Sequence, residues 1–143
     1  MPDIMHLVKI HAPANPVYRA LTTPAGVRNW WTGDVALESA VGGTGEFRFN
    51  DRRFVIKVAI QELTPDTRVW WRVVSPDLFD GTSVQFELSP NEGHTMLSFT
   101  HRGFKWTDDT YAAATTRWGY YLVSLKRYLE SGKGAPSPNE LDA

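Results

Sequence analysis

Apolar and polar residues alternate with a period of two through the middle of the chain, from residue 46 to residue 101. Ile56 and Val58 fall on one side of a strand and Lys57 falls on the other. The same alternation returns in the stretches around Phe47 and Phe49, Val69 and Val73, Val84 and Leu88, and Leu97 and His101. This pattern predicts an antiparallel sheet with one buried face and one face in water.

Two short helices are predicted between a first strand at residues 8–10 and this sheet. Asn15 precedes Pro16, and Thr23 precedes Pro24. A polar residue that can cap free amides, followed by Pro at the first helical position, is typical of a helix start. We therefore expect one helix to start at Asn15 and a second at Thr23.

The period becomes helical from about residue 107 to residue 131. Trp118, Leu122 and Leu125 recur every three or four residues and form one apolar stripe. Gly132 follows and is suited to end a helix. The last residues are polar and rich in Pro and Gly, so we expect residues 133–143 to be a flexible tail.

The order of elements indicates an α+β protein rather than an alternating α/β one. Residues 1–132 are expected to form a single domain, with a curved antiparallel sheet of six to seven strands wrapped round the long C-terminal helix. Residues 32–45 are interpreted mainly as an irregular loop. Because a twisted sheet curls, one helix cannot fill its concave face along the whole length. A cavity between helix and sheet is the expected result.

Composition narrows the classes of function. The 143 residues carry 15 basic and 16 acidic side chains, for a formal charge of -1, which argues against a nucleic-acid partner. The sequence has no cysteine, which excludes disulfides and fits a reducing cytoplasm, the expected location. No apolar run approaches the length of a membrane span. The aromatic content is high, at 13% with six Trp.

The inward-facing aromatic and aliphatic residues predict a binding site for a small hydrophobic or aromatic molecule. Alternation and helical phase place the following residues against that cavity: Trp31, Phe47, Phe49, Ile56, Val58, Trp71, Phe86, Phe99, His101, Tyr111, Trp118 and Leu122. Ordinary core packing is the competing interpretation for each of the tryptophans.

His101 is the polar residue with most chemistry to offer. It shares the inward phase of Leu97 and Phe99, where an imidazole could orient a ligand or transfer protons. The simpler interpretation is a histidine hydrogen-bonded within the fold. An enzymatic alternative, a cyclase or hydrolase, would use His101 beside Tyr111 or Tyr121.

No cofactor or metal is expected. The sequence contains no nucleophile elbow, phosphate loop or dinucleotide fingerprint. His6 and His101 lack the spacing of a metal site, which needs three or four converging ligands. We therefore expect the protein to bind a ligand rather than to catalyse a reaction, and we assign no catalytic residues.

Several motifs in order resemble a known family. The first segment reads VKIHAPANPVYRALTTPAGVRNWW, in which the matching residues are Ile10, Ala12, Pro13, Val17, Tyr18, Ala20, Leu21, Thr22 and Trp30. GGTGEFRF, HTMLSFTHRGF and RWGYYLVSLKRYLESG follow. Together they resemble the helix-grip (START-like, SRPBCC) superfamily, in the branch named after activators of the heat-shock chaperone ATPase. One departure is the order Trp118-Gly119, which that branch usually reverses.

This resemblance covers about residues 5 to 132 and implies the helix-grip fold. It leaves function open, because the superfamily includes lipid carriers, hormone receptors, cyclases and chaperone activators. Ligand binding in the cavity is the leading expectation. A co-chaperone-like module that binds a protein partner is the alternative, and the sequence does not determine the oligomeric state.

Overall fold

A computed structural model of the chain describes residues 2–138. It contains a seven-stranded antiparallel sheet in the order β1-β7-β6-β5-β4-β3-β2. The elements are β1 Ile4–Ile10, α1 Ala14–Thr22, α2 Pro24–Val27, β2 Asp34–Leu37, β3 Thr44–Phe49, β4 Phe54–Thr64, β5 Arg68–Ser75, a 3₁₀ turn Asp77–Phe79, β6 Ser83–Asn91, β7 His94–Arg102 and α3 Asp109–Ser131. The predicted α+β helix-grip fold is confirmed.

The two short helices form as predicted, with one difference at the first. The residue before α1 is Pro13, and no side chain caps that end. Asn15 lies inside the helix, and its Nδ2 donates to Asp66 Oδ1 at 3.0 Å. The predicted cap of α2 is confirmed, because Thr23 Oγ1 accepts a hydrogen bond from the Gly26 amide at 3.0 Å.

The long helix α3 has a defined start and end. Asp108 caps its start by accepting from the Tyr111 amide at 3.1 Å. Gly132 ends it in the left-handed conformation, with φ of 84°, which glycine adopts at little steric cost. Leu122 and Leu125 are fully buried against the sheet, as the apolar stripe predicts.

The region interpreted as a loop, residues 32–45, contains the edge strand β2. This strand pairs with β3 and buries one side chain, that of Val35. A single buried apolar position shows no period in the sequence, so the interpretation missed the strand. An ion pair of 2.9 Å between Arg48 and Asp34 joins the two strands across their outer face.

Residues 133–138, which belong to the predicted flexible tail, pack on the domain. The Ser137 amide donates to the Trp31 carbonyl at 2.9 Å, and the Gly33 amide donates to the Ser137 carbonyl at 3.0 Å. Both backbone segments need hydrogen-bond partners, and each supplies them to the other. The domain therefore extends beyond the end of α3. The remaining part of that predicted tail, residues 139–143, lies outside the described residues.

The core lies between the concave face of the sheet and the helices. Trp71 on β5 is 1% exposed whereas its neighbour Trp70 is 36% exposed, which follows from the alternation of side chains along a strand. Within residues 2–138, none of the helices has the length and apolar character that crossing a membrane requires.

Candidate ligand-binding cavity

A cavity of about 400 Å³ opens at one end of the groove between sheet and helix. Strands β3 and β4 form one wall, α3 forms the opposite wall, and the 3₁₀ turn closes a side. The lining residues are Trp31, Phe49, Asn50, Phe54, Ile56, Leu78, Phe79, Thr110, Ala113, Ala114, Arg117, Trp118 and Tyr121. Most of this wall is apolar or aromatic, which is typical of small-molecule sites.

Four of the sequence-predicted site residues meet in this wall: Trp31, Phe49, Ile56 and Trp118. Two come from the sheet, one from the segment after α2 and one from α3. The indole of Trp31 is central to the group, with its ring centroid 5.0 Å from that of Trp118 and 5.7 Å from that of Phe49. The periodicity therefore locates the centre of the cavity wall.

Other predicted site residues are buried in the core and do not line the cavity: Phe47, Val58, Trp71, Phe86, Phe99, His101 and Leu122. Their side chains fill the concave face where an open groove was expected. The Trp31 and Trp71 rings stack at 6.1 Å, and the Phe99 and Trp118 rings lie 4.5 Å apart. The large aromatic side chains close most of the groove and leave space at one end.

Tyr111 also lies outside the cavity wall. Its hydroxyl donates to the Asp3 carbonyl at 2.9 Å, and its ring packs edge-on against Phe104 with centroids 5.3 Å apart. Tyr111 lies in the first turn of α3, near the start of β1 rather than beside the cavity. Its contacts fix β1 to α3 instead.

The cavity wall also contains residues that were not predicted as ligand-binding. Thr110 and Ala114 follow the same helical face as Trp118, so the spacing of three or four residues could have identified them. Tyr121, named above only for the enzymatic alternative, lies on this face as well. Phe79 belongs to the 3₁₀ turn in the connection between β5 and β6. No periodicity indicates that a loop residue folds back over a cavity.

His101 lies behind the cavity and is 3% exposed. Trp118 Nε1 donates to its Nδ1 at 3.1 Å. Because an indole N–H only donates, Nδ1 accepts and the proton of the neutral ring sits on Nε2. Nε2 lies 2.8 Å from Thr82 Oγ1, and the Thr82 hydroxyl in turn donates to the Phe79 carbonyl at 2.6 Å.

Burial lowers the pKa of His101 to about 4. The ring is therefore neutral at pH 7, and both of its nitrogens have protein partners. A general acid–base must exchange its proton with a substrate within hydrogen-bond reach. This geometry favours a histidine that positions Trp118 and the 3₁₀ turn over one that transfers protons.

The structure shows no metal-binding group of side chains within residues 2–138. His6 Nε2 instead lies 3.2 Å from the Thr115 carbonyl of α3. This histidine helps to hold β1 against the helix.

The family of Activator of Hsp90 ATPase homolog 1-like proteins matches residues 11–130. The chain belongs to this family. The resemblance to the helix-grip superfamily is thereby confirmed for this AHSA1-like protein, and it extends over nearly all of the fold described above.

Solved structures support the same assignment of the AHSA1-like chain. The Aha1 dimer from Colwellia psychrerythraea, a solution structure, is 36% identical with a TM-score of 0.86, covering 94% of this chain and 100% of that one. Protein MLL2253 from Mesorhizobium loti (22% identity, TM-score 0.79, 90% of this chain and 97% of that one) shares the fold. CalU16 from Micromonospora echinospora also shares the fold, at 21% identity and a TM-score of 0.75, covering 95% of this chain and 77% of that one. No curated protein matches the chain in sequence.

Proposed function

We propose that this AHSA1-like protein binds a small hydrophobic or aromatic molecule in the cavity between β3, β4 and α3. The observation that carries the proposal is the cavity itself. Its volume is about 400 Å³, within the range of about 300–1,000 Å³ that small-molecule sites occupy. A packed protein interior normally leaves few voids larger than a water molecule.

The sequence keeps this space open through small residues on α3. Ala113 and Ala114 face the cavity where larger side chains would fill it. On the opposite side, the rings of Phe49 and Phe54 lie 6.1 Å apart. A molecule that enters would exchange water for aromatic surface, which is the main source of its expected binding free energy.

The test fills the cavity from the helix. In Ala114→Leu the added side chain occupies part of the cavity, because Ala114 lies in its wall, so a ligand should lose its site. Ala112→Leu is the matched control, because Ala112 lies two residues earlier on the exposed face of α3. Thermal shift against fatty acids, sterols, flavonoids and aromatic acids, followed by calorimetric titration of each hit, measures binding.

We expect a saturable rise in melting temperature for at least one compound class, unchanged in Ala112→Leu and lost in Ala114→Leu. A folded Ala114→Leu protein that retains the full shift would place binding elsewhere. A hit whose shift disappears in both variants would point to a general effect of the helix surface and would also contradict the proposal.

A second candidate, a protein-interaction role, is favoured by the family and by the 36% identical Aha1 structure. Trp106 and Leu78 are 72% and 56% exposed beside the cavity mouth, and exposed apolar side chains of this size are common in protein interfaces. A chaperone partner also fits the cytoplasm, which we propose as the location.

If the protein-interaction role is correct, the protein changes the ATP turnover of an Hsp90-type chaperone and Trp106→Ala weakens that change. An unaltered turnover at saturating protein would exclude it.

A further inference from the structure

We propose that the ligand of this cavity is a ring-bearing carboxylate whose anionic group binds Arg117 at the cavity mouth. This inference rests on the proposed function and goes further, because it names the charge and shape of the ligand. Three features of the structure support it: the charge of the wall, the position of the guanidinium and the kind of side chains deeper in the cavity.

Arg117 is the only charged side chain in the cavity wall among the described residues. Within residues 2–138 it forms no ion pair, whereas Arg48, Arg52 and Arg68 each pair with a carboxylate. A wall with one cation and no described carboxylate selects for an anion. A guanidinium matches the two oxygens of a carboxylate with two parallel N–H donors.

The guanidinium is placed where a charge can be bound without being buried. Arg117 is exposed, and it lies one helical turn after Ala113 and directly before Trp118, both in the wall. An anion at this position keeps part of its hydration while the remainder of the molecule leaves water, so the large cost of burying a charge does not arise. Asn50 lies across the mouth in the same wall and supplies a further amide.

The deeper wall favours a ring over a flexible chain. Six of the lining side chains are aromatic: Trp31, Phe49, Phe54, Phe79, Trp118 and Tyr121. Aromatic pairs gain from stacked and edge-on geometries beyond the burial of area. A planar ring system also loses less conformational entropy on binding than an acyl chain does.

A neighbouring groove marks the limit of the site. It shares Leu78 and Thr110 with the cavity and carries three carboxylates, those of Asp77, Asp80 and Asp108, against one cation, Lys105. These acidic groups lie outside the cavity wall. They repel an anion from the adjacent surface, so the electrostatic preference for Arg117 is local to the mouth.

The experiment compares two probes of one shape, 2-naphthoate and its neutral amide, 2-naphthamide, by isothermal titration calorimetry. Octanoate is the acyl carboxylate arm. Arg117→Gln removes the charge and keeps an amide, while Arg127→Gln removes a charge from the exposed surface of the same helix beyond the cavity. We expect 2-naphthoate to bind about fivefold to tenfold more tightly than 2-naphthamide in the unmodified protein.

Arg117→Gln should bring the two affinities together without weakening 2-naphthamide, and Arg127→Gln should preserve the difference. Equal affinity of acid and amide in the unmodified protein would overturn the role of Arg117 and leave ligand binding intact. Octanoate binding as tightly as 2-naphthoate would overturn the preference for a ring. If none of the three probes binds, both this inference and the cavity proposal that underlies it fail for molecules of this size.

Discussion

At the scale of single residues, His101 is a buried connection between two parts of the cavity. It accepts from the Trp118 indole at 3.1 Å and lies 2.8 Å from the Thr82 hydroxyl. Thr82 is bonded in turn to the carbonyl of Phe79, whose ring lines the cavity. The positions of Trp118 on α3 and Phe79 in the 3₁₀ turn are thus coupled through one neutral imidazole.

Thr82→Val tests this connection, because valine keeps the shape of threonine and removes the hydroxyl. The Nε2–H of His101 would then be buried without an acceptor, which costs about 1–3 kcal/mol of unfolding free energy. Urea unfolding followed by circular dichroism measures it. Thr100→Val is the control, because Thr100 lies on β7 at a position that points away from the core. Equal destabilisation by Thr82→Val and Thr100→Val would show that the hydrogen bond to His101 does not contribute to stability.

At the scale of elements, the segment after α3 fixes the turn after α2 that holds Trp31. Ser124 on α3 is the centre of this contact: its hydroxyl donates to the Trp30 carbonyl and accepts from the Ala135 amide, both at 2.8 Å. Tyr120 adds a bond of 3.1 Å from its hydroxyl to the Ala135 carbonyl. Three segments of the chain meet at these buried groups.

Ser124→Ala should therefore destabilise the protein by about 2 kcal/mol or more, because two buried backbone groups lose their partner together. Ser131→Ala is the matched control, since the Ser131 hydroxyl makes a single exposed bond to the Arg127 carbonyl on the same helix. Chemical unfolding gives both values. The interpretation is wrong if Ser124→Ala and Ser131→Ala are equally stable.

Side chains of α3 cover part of one edge of the sheet, the edge formed by β1. Lys126 Nζ donates to the Lys9 carbonyl at 2.6 Å, and Tyr111 donates to the Asp3 carbonyl. Both acceptors belong to the β1 side, where the sheet formed by residues 2–138 has no further strand. An unpaired edge invites pairing with another chain, and the helix side chains occupy part of it.

The elements that periodicity predicted are those with a long repeat of buried positions. Strands β4 to β7 and the helix α3 each bury several side chains in phase. The edge strand β2 and residues 133–138 bury few, and they owe their place to backbone pairing with distant segments. Such pairing leaves no local pattern, so the sequence alone could not indicate it.

At the scale of the whole molecule, the sequence pattern predicted part of the candidate site, and three-dimensional packing determines the rest. Alternation identified which residues face inward, and Trp31, Phe49, Ile56 and Trp118 line the cavity. It could not decide how much of the interior the rings themselves occupy. That depends on how Trp31, Phe47 and Trp71 pack in three dimensions, with the centroids of the first two only 4.3 Å apart.

The global stability should fall as the solution becomes mildly acidic. The pKa of His101 is lowered by burial from 6.5 to about 4, so the unfolded chain binds its proton at a higher pH than the native protein. The contribution of His101 to the unfolding free energy is complete above about pH 6.5 and decreases as the pH falls toward 4. Between about pH 7.5 and pH 5 the loss is about 2 kcal/mol.

The measurement is the unfolding free energy of the unmodified protein and of His101→Gln at both pH values. The variant should lack this part of the decrease. Hydrogen bonds from Arg52 and Arg48 hold the pKa of Asp34 below its usual range, and those from Arg48 do the same for Glu46. Loss of these interactions begins at lower pH and is common to both proteins. Parallel pH dependence of the two would contradict a buried neutral His101.

The packing of the tryptophans also has an optical consequence. The ring centroids of Trp30, Trp71 and Trp118 lie 5.5, 6.1 and 5.0 Å from that of Trp31. At such separations excitation passes between indoles faster than it is emitted. A molecule that quenches Trp118 at the cavity would therefore extinguish emission from Trp30 and Trp71 as well, although neither residue touches it. Quenching of any one of these four indoles should therefore lower the emission of all four.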